Sequence, residues 1–182
     1  MHVNGSKTKK TITWDSPVPH NFHQKGQSPL HLALESNRSG EDCVGIVGLL
    51  LENGADVDTQ DDYNESPLHL ASDYGKLAIG WELLIRGANA SAKNIWGQTP
   101  LHVLSTRPWR FVDVFRFAEI LVDGGADVNA RDKAHDTPLH IAYRNNSLDI
   151  AQRLLKSGAD ICTKNNRGET PVQLVPGPRS TE

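Results

Sequence analysis

The sequence predicts an all-α repeat solenoid, in which pairs of short antiparallel helices stack side by side and are joined by β-hairpin loops. Two recurring motifs and their shared period carry this prediction. SPLH stands at 28–31 and 66–69, TPLH at 99–102 and 137–140, and a worn copy, TPVQ, at 170–173. GAD or GAN stands at 54–56, 87–89, 125–127 and 158–160. Starts of the first motif lie 38, 33, 38 and 33 residues apart, and the second motif keeps step. Each motif is a helix boundary. Ser or Thr caps the start by accepting from an orphan backbone N–H, and Pro fits the first helical position. The glycine closes the second helix in the left-handed conformation. Helices this short cannot stand alone in water, so each unit needs its neighbours.

Residues 1–19 carry Lys7, Lys9, Lys10, Pro17 and Pro19 with little periodicity and are expected to form a solvated arm. A first hairpin follows at 20–27. From the SPLH/TPLH start to the closing glycine the distance is 26 residues in the first and third units and 21 in the second and fourth. The two extra stretches, near 37–42 and 107–112, therefore add five residues each at the turn between paired helices. The second unit shows the plain form. Leu68, Leu70 and Ala71 mark one short helix, Gly75 breaks it, and a second from about Leu77 buries Ile79, Leu83 and Leu84. The insertion of the third unit, Pro108, Trp109, Arg110 and Phe111, is apolar for a surface loop; it either packs on the second helices or forms a further binding element. The fourth unit is regular. A fifth stops after ETPVQLV because Pro176 and Pro178 forbid a second helix. It reads as a capping half-unit, followed by a tail at 176–182.

A formal net charge of −3 gives no reason for bulk attraction to nucleic acid or acidic membranes. No apolar run approaches a membrane span, and MHVNGSKTKKTITW lacks the apolar core of a secretory signal. Cys43 and Cys162 fall in different units and read as free thiols of a reducing compartment, so an intracellular, cytoplasmic or nuclear, location is expected. His31, His69, His102 and His140 invite a metal reading, which geometry disfavours. Equivalent residues of packed helices sit roughly 8–10 Å apart, whereas zinc needs nitrogen at about 2 Å. Asp58, Asp61 and Asp62 follow no EF-hand spacing and read as surface charge. No nucleophile elbow, Walker or dinucleotide pattern occurs. Neither enzyme activity nor a cofactor nor a metal is expected.

With four near-intact copies of both motifs, residues 20–175 resemble the ankyrin-repeat family. The resemblance implies four full repeats plus a C-terminal half-repeat. It also implies a non-catalytic protein–protein interaction module, monomeric alone, acting as scaffold, adaptor or competitive inhibitor. In this family the motif histidine hydrogen-bonds around the helix start and ties adjacent repeats together. The structural set implied is Ser28, His31, Ser66, His69, Thr99, His102, Thr137, His140, Gly54, Gly87, Gly125 and Gly158, with the rings neutral and partly buried. Alternatives are the substrate-recognition part of a ubiquitin ligase, for which the tail GPRSTE is too short unless the chain is a fragment, and a metal-dependent enzyme.

Family ligands meet the hairpin tips and the first helices, which line a concave face. Register places the tips at 22–25, 60–63, 93–96, 131–134 and 164–167. Tyr63 and Trp96 occupy the same site in adjacent tips. They are either an exposed anchor pair or two rings folded over the neighbouring hairpin. The candidate binding face comprises Tyr63, Trp96, Asp61, Asp62, Lys93, Asp73, Tyr74, Arg107, Arg131, Lys133 and Arg144. Its charge is ordered, with Glu35, Asp61, Asp62, Glu65 and Asp73 toward the N-terminal repeats. Arg107, Arg131, Lys133, Arg144, Lys164 and Arg167 lie toward the C-terminal ones, which would orient a protein partner. One departure stands out. Gly80 replaces an aliphatic residue and Trp81 a polar one, so Trp81 either fills the space Gly80 leaves or marks a convex contact.

Overall fold

A computed structural model describes residues 26–35, 40–106 and 114–176. The arm, the tips at 22–25, Arg107 and the apolar insertion at 108–111 lie outside the described residues. Within them run eight helices: α1 (Pro29–Glu35), α2 (Gly40–Glu52), α3 (Pro67–Asp73), α4 (Leu77–Ile85), α5 (Pro100–Ser105), α6 (Val114–Asp123), α7 (Pro138–Arg144) and α8 (Leu148–Lys156). A 3₁₀ turn, Pro171–Leu174, ends the series. The odd-numbered helices pack on one another in chain order, ending on the 3₁₀ turn, and the even-numbered helices form the second layer. This is an all-α repeat solenoid.

Local chemistry sets the helix ends. Ser66 Oγ and Thr137 Oγ1 accept from the N–H of His69 and His140, and a proline opens each first helix. At the far end Gly87 has φ 91° and its repeats Gly54, Gly125 and Gly158 lie between 84° and 92°. There the N–H of Ala88 reaches Leu83 O and that of Gly87 reaches Leu84 O, both at 3.0 Å, which satisfies carbonyls the helix leaves open.

Burial then does what helix propensity cannot. Leu30, Leu68, Leu101 and Leu139 of the first helices are shut away from water, as are Leu83, Leu121 and Leu154 of the second. They form one continuous apolar seam along the stack rather than a central core. Among the described residues the hairpins are turns without a strand ladder. Single backbone bonds link consecutive tips: Ile95 N–H to Tyr63 O, Lys133 N–H to Trp96 O, and Asn166 N–H to Ala134 O, at 2.9–3.0 Å.

The space beside Gly80 is filled from elsewhere than Trp81. A Cβ on Gly80 would lie 2.5 Å from Phe117 Cε2, so the α6 ring occupies that room. Phe117 stands where the other repeats carry Ile46, Ile79 and Ile150, and Gly80 where they carry Val47, Ala118 and Ala151. A larger side chain on α6 is thus matched by a missing one on α4. Trp81 points outward, 54% exposed, with Ile85 at 57% one turn on. The space-filling reading of Trp81 is corrected.

Candidate protein-binding surface

The surface is built on a histidine ladder. In His31, His69, His102 and His140, Nδ1 accepts the backbone N–H of the cap residue, Ser28, Ser66, Thr99 or Thr137, at 3.1 Å. That acceptor role puts the ring proton on Nε2. There it is donated to a carbonyl of the following repeat: Glu65, Gln98, Asp136 or Glu169, at 2.9–3.1 Å. The rings are fully buried, deeper than the partial burial expected. Burial pulls His69 and His102 down to about 4 and also lowers His140, which keeps these rings neutral. Among the described residues no cluster of His, Cys, Asp and Glu could hold a metal ion.

The ladder fixes where each tip ends, and one side chain shapes it. Asp61, Asn94, Asp132 and Asn165 occupy the same position in successive tips. Each uses one oxygen to accept the backbone N–H groups two and four residues ahead, at 2.8–3.0 Å. All four are buried. Asp61 is therefore corrected from a surface charge to a turn-forming residue, whereas Asp62 beside it is exposed. Glu65 is buried too, so the acidic end of the charge gradient is weaker at the surface than the sequence implies. Sequence reasoning missed this turn position, although the alternation of Asp and Asn five residues before each motif was its visible signal.

Tyr63 and Trp96 come together across two tips. Their ring centroids are 5.7 Å apart and the planes differ by 9°, a stacked pair in which both rings are half-buried. The two residues thus form one aromatic plate instead of separate anchors. Cations lie to its C-terminal side. Lys93, Arg131 and Lys133 are exposed, and Lys93 Nζ donates to Arg131 O at 3.0 Å. Asp73 and Tyr74 are half-buried at the end of α3, with Lys76 Nζ 5.9 Å from the Tyr74 ring centre. Arg144 is directed partly inward, its Nη2 lying 2.8 Å from Oδ2 of buried Asp136. A shallow cleft of about 220 Å³ between the last two tips, bordered by Lys133, Asp136 and Arg167, is smaller than usual small-molecule sites of roughly 300–1,000 Å³.

Cys43 is buried and Cys162 exposed, both as free thiols. Among the described residues no helix is long and apolar enough to cross a membrane.

Comparison with known proteins agrees with the architecture. A sequence profile for ankyrin repeats, three copies, matches residues 8–94 and 68–165. Neurogenic locus notch homolog protein 1 of Homo sapiens is 36% identical over 152 residues, covering 82% of this chain and 6% of the Notch protein. The Danio rerio protein of the same name is 36% identical over 151 residues, with the same coverage. A transient receptor potential cation channel subfamily A member 1 homolog from Caenorhabditis elegans is 30% identical over 149 residues, 82% of this chain and 11% of the channel. The chain thus spans a small fraction of these relatives' length. It belongs to the ankyrin-repeat family, whose repeats are protein–protein interaction modules.

Proposed function

We propose that this chain is a non-catalytic module, monomeric alone and intracellular, that holds a protein partner against its hairpin tips and first helices. It would act as scaffold, adaptor or competitive inhibitor, with residues 20–175 as the binding unit. The observation that carries this reading is the stacked Tyr63–Trp96 plate, flanked by exposed Asp62 and by exposed Lys93, Arg131 and Lys133. A rigid, half-exposed aromatic surface with a charged rim fits the usual anatomy of an interaction hot spot. The absence of catalysis is supported by the roles of the titratable groups themselves: the histidines are tied up in structural bonds and the tip aspartates shape turns.

Affinity capture with the intact chain, followed by mass spectrometry, identifies the partner. Trp96→Ala should then weaken its binding by about 2 kcal/mol or more, while Trp81→Ala on the convex side leaves it unchanged. Reversing Lys133 should mainly slow association, an effect hidden by salt. If Trp81→Ala alone abolished binding while every variant stayed folded, the working surface would be the exposed Trp81–Ile85 pair of α4.

A further inference from the structure

The fourth place of each tip forms a series along the stack: Tyr63, Trp96, Ala134 and Arg167. Its first two members are rings, stacked with their planes 9° apart. The third, Ala134, is half-buried and carries a methyl group where its two predecessors carry rings. Backbone bonds hold the tips in this order, Lys133 N–H on Trp96 O and Asn166 N–H on Ala134 O, each at 3.0 Å. The cleft of about 220 Å³ lies at this place, lined by Ala134 with Lys133, Asn166 and Arg167. A cavity of about 150 Å³ holds benzene, so the cleft has room for one aromatic ring. It opens where the series of rings breaks off.

The surroundings favour a ring over an aliphatic chain. Arg167 brings a planar guanidinium to the rim, and such a group stacks on an aromatic face while its edge keeps other bonds. The exposed charges of these two tips, 131–134 and 164–167, are all cationic: Arg131, Lys133, Lys164 and Arg167. The one acid lining the cleft, Asp136, is engaged within the chain, Oδ2 by Arg144 and Oδ1 by Asn165, both at 2.8 Å. Exposed Asp160 feels the charge of Arg131 from outside the cleft, and its carboxylate accepts from the Cys162 N–H and the Thr163 hydroxyl at 2.8 Å. A ring that enters here with negative charge beside it therefore meets both a shape and a field that suit it.

We propose that the cleft at Ala134 receives an aromatic side chain of the protein partner, continuing the Tyr63–Trp96 series, from a segment with Asp or Glu on either side of that aromatic residue. This rests on the interaction-module reading and names the partner's chemistry at one point of it. The ring supplies buried area and most of the affinity. The acidic flanks meet Arg131, Lys133 and Lys164, which orients the segment and speeds its encounter. A single strand of nucleic acid also offers rings and negative charge, but its binding draws on bulk positive charge, and this chain's net charge is −3.

The site can be tested apart from any partner. Acetyl-Glu-Trp-Glu amide is titrated into the ¹⁵N-labelled full chain and followed by NMR, with the Glu-Ala-Glu and Lys-Trp-Lys peptides as controls. Saturable shifts are expected at the Ala134 and Asn166 N–H groups and at the side-chain amides of Asn165 and Asn166. Either control peptide should bind at least about tenfold more weakly. Ala134→Trp fills the cleft with the residue native at sister position 96, so it should keep the fold and weaken the probe at least about tenfold. Should that variant fail to fold, Ala134→Leu fills the same space and carries the same expected loss. Lys133→Glu should narrow the gap between the Glu-Trp-Glu and Lys-Trp-Lys peptides, an effect that shrinks with added salt. No shift at high millimolar probe, equal binding of the Trp and Ala peptides, shifts that survive filling of the cleft, or displacement of the probe by an oligothymidine strand at equal concentration would overturn the proposal. A captured partner indifferent to the filled cleft would also overturn it while leaving the module intact; a wild-type chain that captures nothing refutes the module itself.

Discussion

The second and fourth repeats have the same length from motif to closing glycine, the same capped histidine and the same buried leucines, yet they differ at particular surface positions. In the fourth, charges are consumed within the chain. Arg144 pairs with Asp136, Arg153 with Glu119 at 3.3 Å, and Arg153 and Lys156 lie 5.4 and 5.5 Å from the Phe115 ring centre. In the second, the position of Arg144 holds Asp73, and the outward positions of Gln152 and Lys156 hold exposed Trp81 and Ile85. Framework residues are held by local geometry and by the apolar seam, which leaves the positions between them open to divergence. The second repeat pairs charges too, Arg86 reaching Glu82 at 3.0 Å, and it differs from the fourth in what stands at these three positions.

The shared framework predicts the largest effects. Leu83→Ala and Leu154→Ala remove equivalent, fully buried side chains, and each should cost roughly 2–5 kcal/mol in urea melts. A loss confined to one of them would show that the two repeats do not share a seam of equal weight.

Gly80→Ala should cost about 1–3 kcal/mol by overpacking, although alanine is native at sister positions 118 and 151. Adding Phe117→Ile, the sister residue, should recover part of that loss in a double-mutant cycle. Independent, additive effects would mean that the two positions are not exchanging volume.

Different readouts are expected at the residue seven beyond the cap. Arg144→Ala should destabilise by about 1–2 kcal/mol, less than a fully buried pair because the arginine remains partly exposed. Asp73→Ala should lower the Glu65 titration, followed by ¹³C NMR, by removing a negative neighbour. An unchanged melt in the first variant, or an unmoved Glu65 titration in the second, would erase the electrostatic contrast between the repeats.

The smallest effect is a pH slope. His69 and His102 titrate lower in the folded chain, about 4, than the usual 6.5, so the unfolded state binds more protons and stability falls as pH drops through that window. Glu65 acts in the other direction. Its folded value of about 7 lies above 4.5, and its contribution is lost as pH rises between the two. The opposing trends flatten the net dependence between about pH 4.5 and 6.5. In Glu65→Gln the acid-side loss should steepen, as read from melting temperatures across that range; an unchanged slope would place the Glu65 carboxyl in an ordinary solvated setting.

Much of the fold was legible because its signals are short-range. A cap needs a hydroxyl or carboxylate beside a helix start, a helix end needs a residue that accepts positive φ, and a stack needs a fixed period. Ser66, Pro67 and Gly87 could therefore be read where they stand. The candidate face was less legible. Asp61 and Asp62 are the same residue type, adjacent in sequence, and only the tip's curvature turns one onto its own backbone and leaves the other in water.

Sequence by itself determined the repeat register, the helix ends and the in-line placement of the histidines, because each depends on residue type at a fixed spacing along the backbone. Tertiary structure alone decided the stacking of Tyr63 on Trp96, the seating of Phe117 against Gly80 and the inward turn of Arg144 onto Asp136. These depend on side-chain direction and on how closely separate helices and tips approach, and such distances arise only when the units pack.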